Sequence, residues 1–230
     1  MEKNKEFFVA EILKWYEKNK EFYPWRSEND PFKILLSEIL LRKTDRKKVA
    51  ILYPQISEYI GSPIKIVNTD LKKLEEFLKP LGLYKERARQ LKQAAEFILN
   101  QFNGRIPENL NDLLKIPGVG RYTANAVLCF AYKKRVPLID ANLIRILKRY
   151  FNLTSNKSRE RDDRLFWEFI SDIIPPDHTK EFYYGILDFS NQICRAKNPK
   201  CSNCPLNSYC SYYKINSENF NKKNFNKKII

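Results

Sequence analysis

At 230 residues, with 43% hydrophobic and 30% charged residues, the chain is long enough for one large core or two modest domains. No apolar run approaches the ~20 residues needed to cross a bilayer, and charges interrupt the N-terminal stretch, which is therefore not expected to be a signal peptide. A formal net charge of +15 repels itself in a folded chain and calls for a polyanionic partner, nucleic acid ahead of an anionic membrane surface.

Apolar residues recur at helical spacing over 6–18, 31–44, 70–78, 84–100, 122–132, 140–151 and 163–173. Alternating strand patterns are nearly absent and there are only 6 glycines, which predicts an all-α fold of about ten helices. The first stretch reads as an amphipathic helix. Pro24, Trp25 and Arg26 precede the second and fix its start. Within that second stretch Ile34 and Leu35 lie one turn before Glu38 and Leu41 one turn after, so Glu38 shares an apolar face. Carboxylates seldom lie on such a face without a partner. Gly82-Leu83-Tyr84 then marks a turn into a basic helix, whose Lys85, Arg87 and Arg89 are candidate phosphate contacts.

The clearest punctuation is Ile116-Pro117-Gly118-Val119-Gly120-Arg121-Tyr122. A short helix ends at the proline and a new one begins near Arg121, with two glycines permitting a tight turn between them. Backbone N–H groups at such a turn, with the positive end of the following helix, form a phosphate-binding concavity. The pattern is a helix-hairpin-helix; a P-loop needs a longer loop and a Gly-Lys-Ser/Thr ending. Cys129 reads as core. Asp140 precedes Leu143, Ile144, Ile146 and Leu147, the position of a helix N-cap. His178, the one histidine, follows Pro175-Pro176 with nothing nearby to make it a ligand or base.

Cys194, Cys201, Cys204 and Cys210 are spaced x6, x2, x5. In a protein expected in the reducing cytoplasm, four such thiols read as one metal centre and not as disulfides. Thiolates in this number hold zinc or an iron–sulfur cluster; spacing alone leaves both open and leans to zinc, the commoner structural metal. Arg195, Lys197 and Lys200 make the enclosing loops basic. The segment 214–230 is rich in Asn, Lys and Phe and reads as a disordered basic tail.

The hairpin at 116–122, the stretch Val136-Pro137-Leu138-Ile139-Asp140-Ala141-Asn142 and the cysteine pattern match, in order and spacing, the helix-hairpin-helix base-excision glycosylases of the endonuclease III and adenine glycosylase superfamily. The resemblance runs from Pro24 to about Tyr213. It implies a [4Fe–4S] cluster in place of zinc and a DNA N-glycosidase in place of a passive binder. It also implies two helical domains with the base pocket in the cleft between them. Residues 24–135 would carry Glu38 and Tyr122; residues 1–23 with 136–213 would carry Asp140 and the cluster. Pro24-Trp25-Arg26 and Ser37–Thr44 resemble both adenine glycosylases and the archaeal thymine(uracil)–guanine mismatch glycosylases. Adenine glycosylases have a glutamine-rich stretch where this chain has Arg42-Lys43, and a further C-terminal domain where only a short tail is expected here. Leu187-Asp188-Phe189-Ser190 and Cys210-Ser211-Tyr212-Tyr213 look most like the thymine enzymes.

The resemblance also distributes roles. Asp140 would stabilise the oxocarbenium-like sugar and position or deprotonate water, and Glu38 would meet the flipped base. In endonuclease III the position of Tyr122 is a lysine that forms an imine with the sugar; a phenol cannot, which implies a monofunctional enzyme. Lys43 and Leu187 would fill the vacated stack, and Arg42 would read the widowed guanine. Gly118, Val119, Gly120 and Arg121 would grip phosphate. The implied partner is double-stranded DNA with a mismatched or deaminated base, bound by a monomer. Two rivals are an adenine glycosylase acting opposite 8-oxoguanine and a catalytically silent damage-binding module.

Overall fold

The computed structural model describes residues 2–217, and among these no strand occurs. In chain order the helices are α1 (Glu2–Asn19), α2 (Pro31–Leu41), α3 (Arg46–Ile60), α4 (Pro63–Asn68), α5 (Leu71–Leu78), α6 (Tyr84–Phe102), α7 (Leu110–Leu113), α8 (Arg121–Phe130), α9 (Ala141–Phe151), α10 (Arg164–Ile173) and α11 (Thr179–Gln192). A further helix, α12, spans 211–217. The segment expected to be a disordered tail therefore begins with four helical residues; its remainder lies outside the described residues. No described helix is long and apolar enough to cross a membrane.

Aspartates start many of these helices. Asp30, Asp45 and Asp70 each accept two first-turn amides, and Asp140 and Asp163 one each. Each satisfies donors the helix cannot satisfy itself and sets a negative charge at its positive end. The predicted helix at 31–44 stops early, at Leu41, because Arg42 turns extended and Lys43 adopts a left-handed φ of 51°.

The chain forms two compact units: Phe22–Lys134, and the chain up to Glu21 joined with the chain from Arg135 onward. In Phe22–Lys134, α2 is the central element; Phe32, Ile34, Leu35, Leu36, Ile39 and Leu40 are all buried. It packs on α3, α6 and α8, while α4 and α5 lie against α6. Trp25 stacks on Tyr23 with centroids 4.9 Å apart and meets the Tyr53 ring edge-on at 5.8 Å, closing the entrance to α2.

The other unit is organised by Phe8 of α1, whose ring meets Tyr150 at 5.1 Å, Phe151 at 5.2 Å and Phe182 at 6.3 Å. Helix α1 lies along α11, and Gly185 permits the approach: a Cβ there would stand 3.0 Å from Ile12 Cγ2 and 3.1 Å from Tyr16 Cβ. A Gly185→Leu substitution is expected to destabilise the protein by about 1–3 kcal/mol through overpacking, read as a lowered melting temperature.

Candidate active site and metal centre

In the Phe22–Lys134 unit the hairpin between α7 and α8 buries Ile116 and Val119 and exposes Gly118 and Gly120. The apolar pair anchors the turn while the glycines face out. Gly118 has φ 75°, and a Cβ there would fall 1.8 Å from the Gln90 amide nitrogen, so this position takes glycine for two reasons. Gly120 is the N-cap of α8 and has open space where a side chain would stand; no side chain caps this helix. The positive end of α8 thus lacks the side-chain cap that aspartates give the helix starts elsewhere. Arg121 is exposed and Tyr122 half-buried in the first turn.

Glu38 is half-buried on α2 and close enough to Arg42 for their charges to interact. Arg42, expected to read a guanine, is otherwise engaged. Its Nη2 donates to the Gly118 carbonyl at 2.8 Å and the Thr123 hydroxyl at 3.1 Å. Burial lowers its pKa and Glu38 opposes that. Arg87 is a plain correction: predicted as a surface phosphate contact, it is only 3% exposed. Its guanidinium points inward because backbone carbonyls at the end of α2 need donors. Lys85 and Arg89 remain exposed.

Lys43 with φ 51° and Leu83 with φ 49° are exposed and hold left-handed backbone, as do Asn103 and Lys133 of the same unit. Each costs roughly 1–2 kcal/mol for a residue with a Cβ. Leu83 is 56% exposed, an apolar side chain held outward by a strained turn. Sequence reasoning passed over it. The available signal was the Gly82-Leu83 turn itself.

In the other unit Asp140 caps α9. Its Oδ1 accepts from Leu143 N at 2.8 Å and its Oδ2 from the Asn142 side-chain amide at 2.8 Å. Burial pushes the Asp140 carboxyl above its usual range, while the Leu143 amide, the Asn142 amides and the Arg145 cation pull the other way. The bonds continue: Arg145 Nη1 donates to Asn142 Oδ1 at 3.0 Å, and Arg145 Nε to the Cys194 carbonyl at 3.1 Å. Arg145 Nη2 reaches the Ser190 carbonyl at 3.1 Å. Asn142 and Arg145 were not singled out as functional in the sequence; D-x-N-x-x-R across a helix start is the pattern that carries them. Leu187 is half-buried on α11, and its neighbour Asp188 is fully buried, accepting the Glu21 amide at 3.2 Å. His178 is a left-handed residue at the start of α11, away from any candidate role. Cys129 is buried, as predicted.

The four C-terminal cysteines lie close enough for their charges to interact. Burial, reinforced by the other cysteines, pushes Cys201 up to about 11 and Cys204 up to about 12, and raises Cys210. Arg149 of α9 turns toward them: Nη1 lies 3.5 Å from Cys194 Sγ and 2.7 Å from the Arg195 carbonyl, and Nη2 3.0 Å from the Ala196 carbonyl. Backbone amides of Leu206 and of Tyr212 and Tyr213 serve Cys204 and Cys210. Amide and guanidinium donors aimed at sulfur stabilise thiolates, so the donor set fits a group that binds four anionic sulfurs. Among the described residues no three of His, Cys, Asp or Glu stand as a single metal ion would require.

These observations agree with relatives. Residues 36–172 match the HhH-GPD superfamily base excision DNA repair protein, and residues 194–210 the iron–sulfur binding domain of endonuclease III. The chain is 40% identical over 210 residues to a thymine/uracil-DNA glycosylase of Pyrobaculum aerophilum, covering 90% of this chain and 91% of that protein. It is 35% identical to a thymine/uracil-DNA glycosylase of Methanothermobacter thermautotrophicus, covering 92% and 95%. A solved thermostable thymine-DNA glycosylase superimposes with a TM-score of 0.89 at 34% identity, covering 93% of this chain and 98% of that one. The chain belongs to the HhH-GPD superfamily of base excision DNA repair proteins and is a DNA glycosylase with an endonuclease III-type iron–sulfur domain.

Proposed function

We propose that this glycosylase removes thymine or uracil mispaired with guanine by hydrolysis and leaves the abasic strand intact. The observation that carries the hydrolytic step is Asp140, a carboxylate at a helix start, half-buried and held in two directions. A fixed negative charge in low dielectric stabilises the cationic sugar that forms as the glycosidic bond breaks, and it can take a proton from the attacking water. Similarity to thymine/uracil glycosylases over 90–92% of this chain and 91–95% of theirs supports the pyrimidine substrate.

Glu38 is the group that meets the flipped base, and Tyr122 lies against it in place of an imine-forming amine. Lys43 and Leu187 fill the stack the base leaves, with Leu83 a third candidate. Gly118 to Arg121 hold the phosphates of one strand. Cys194, Cys201, Cys204 and Cys210 hold the [4Fe–4S] cluster, whose contribution is structural: it folds the chain after α11 onto Arg149. The protein acts as a monomer.

Defined duplexes separate this from its rivals. Base release from T:G or U:G, with strand scission only after alkali, is the expected result. Faster release from A:8-oxoG identifies an adenine glycosylase; mismatch binding with no abasic product identifies a silent binder. A Tyr122→Lys variant should gain an adduct with the DNA that borohydride traps, which the parent protein lacks. Trapping by the parent would overturn the monofunctional reading.

A further inference from the structure

Three exposed features of the Phe22–Lys134 unit hang on one buried network. Arg87 of α6 donates through Nη2 to the Arg42 carbonyl at 2.9 Å and the Thr44 hydroxyl at 2.9 Å, and through Nε to the Ile39 carbonyl at 3.4 Å. Its Nη1 donates to the Gly82 carbonyl. It therefore holds both flanks of the Lys43 turn and the residue preceding Leu83. Thr44 closes the same junction by donating to the Leu81 carbonyl at 3.3 Å. One turn along α6, the Gln90 amide donates to the Gly118 carbonyl at 3.1 Å, beside the Arg42 guanidinium already bound there. Two side-chain donors on one carbonyl turn that peptide inward and fix the hairpin against α2 and α6.

Among the described residues, the Arg87 guanidinium donates to carbonyl and hydroxyl oxygens, and the charge that acts on it is the like-charged Arg42. A buried cation placed so is a poor device for stability, since apolar residues fill such space at lower desolvation cost. What it supplies is geometry: a planar fork can satisfy several carbonyls in fixed directions, which a lysine cannot.

We propose that Arg87 is a positioning residue, holding the Lys43 and Leu83 turns and, through Arg42, the Gly118 hairpin in one fixed relation. Side chains that enter the duplex and amides that grip its backbone then act as one rigid element. Arg42 is accordingly a strut of this element and not a reader of the widowed base. The inference rests on the glycosylase reading above and deepens it.

A double-mutant cycle tests it on the full-length, cluster-loaded protein, with single-turnover release from a T:G duplex at saturating enzyme. Arg87→Gln is expected to slow release about 100-fold and Lys43→Ala about 30-fold, as displaced rather than absent contacts do. If Arg87 acts by placing Lys43, the double variant should fall no more than about 3-fold below Arg87→Gln alone. Losses that multiply would overturn the proposal. Should Arg87→Gln fail to hold its melting temperature and cluster absorbance, Thr44→Val, which removes one Arg87 acceptor, replaces it in the same cycle and decides in the same way. The cycle is also read in duplex affinity. If the parent protein releases neither thymine nor uracil, the substrate reading fails, and non-additive binding losses still support the positioning role while additive ones sink it.

Discussion

Replacing Asp140 by asparagine is expected to slow base release by about 1,000-fold or more while duplex affinity stays within a factor of about three. Asparagine is as good an N-cap as aspartate, so the start of α9 survives. The polarity of the chain beyond it does not. Asn142 presents its amide nitrogen to Asp140 and its oxygen to Arg145. With an amide at 140, one of these two contacts must set donor against donor, whichever way Asn142 turns. A modest fall in melting temperature should follow. The double variant Asp140→Asn with Asn142→Asp restores an acceptor beside both neighbours, so it should recover the melting temperature and none of the activity. Recovered activity would show that the negative charge works from either position and that Asp140 has no special place. The same environment predicts the pH profile. Burial holds the Asp140 carboxyl above the usual carboxylate range, and the reaction needs it ionised. Single-turnover rates should therefore fall, as pH drops, at a higher pH than for a solvent-exposed aspartate. Arg145→Met removes a cation that favours the ionised form, so its acid limb should move upward from that of the parent. A limb that stays in place would remove Arg145 from the account.

Loss of the cluster is expected to have the second large effect. Cys204→Ala should abolish the visible absorbance of the cluster, lower the melting temperature and reduce base release by about 100-fold, although no cysteine touches the reacting atoms. The route is covalent and short. Cluster ligands fix the chain at 194–196, and that chain offers the carbonyls to which Arg145 and Arg149 are bound. Once those acceptors move, Arg145 loses one anchor and Asn142 its partner's position, and the carboxylate is no longer held on both oxygens. Burial raises the Cys201, Cys204 and Cys210 thiols, and a cluster binds thiolates, so its assembly releases protons and should be favoured by alkaline buffer. Full activity and an unchanged melting temperature in a cluster-free variant would contradict this chain of contacts.

Much of this was readable in the residues. The apolar stripes of α1, α2, α6 and α9 predicted their helices to within a few residues, and the cysteine spacing predicted a metal centre. Helix α3 was missed because it opens on Arg46-Lys47-Lys48 and contains Pro54, which together blur its apolar face. Helix α11 was missed for the opposite reason: Phe182 through Ile186 and Asp188 through Ser190 are all buried, so no stripe stands out. Arg87 looked like surface charge because its four acceptors lie up to 48 residues away, and no local pattern announces them. The bond from Arg42 to the hairpin was equally hidden, its partner being 76 residues distant. Asp140, by contrast, was legible because capping is local.

The placement of α1 has a consequence for synthesis. Phe8 and Ile12 end with no exposed surface, yet the aromatic residues that cover Phe8 are encoded from Tyr150 onward, and the glycine beside Ile12 is residue 185. As the polypeptide leaves the ribosome, α1 emerges ahead of Phe22–Lys134 and waits for partners until residues 150–185 have followed. Phe22–Lys134 is complete long before that and can fold in the meantime. The nascent enzyme should thus acquire its hairpin before its aspartate is set, and contacts of such long range should make the final step slow.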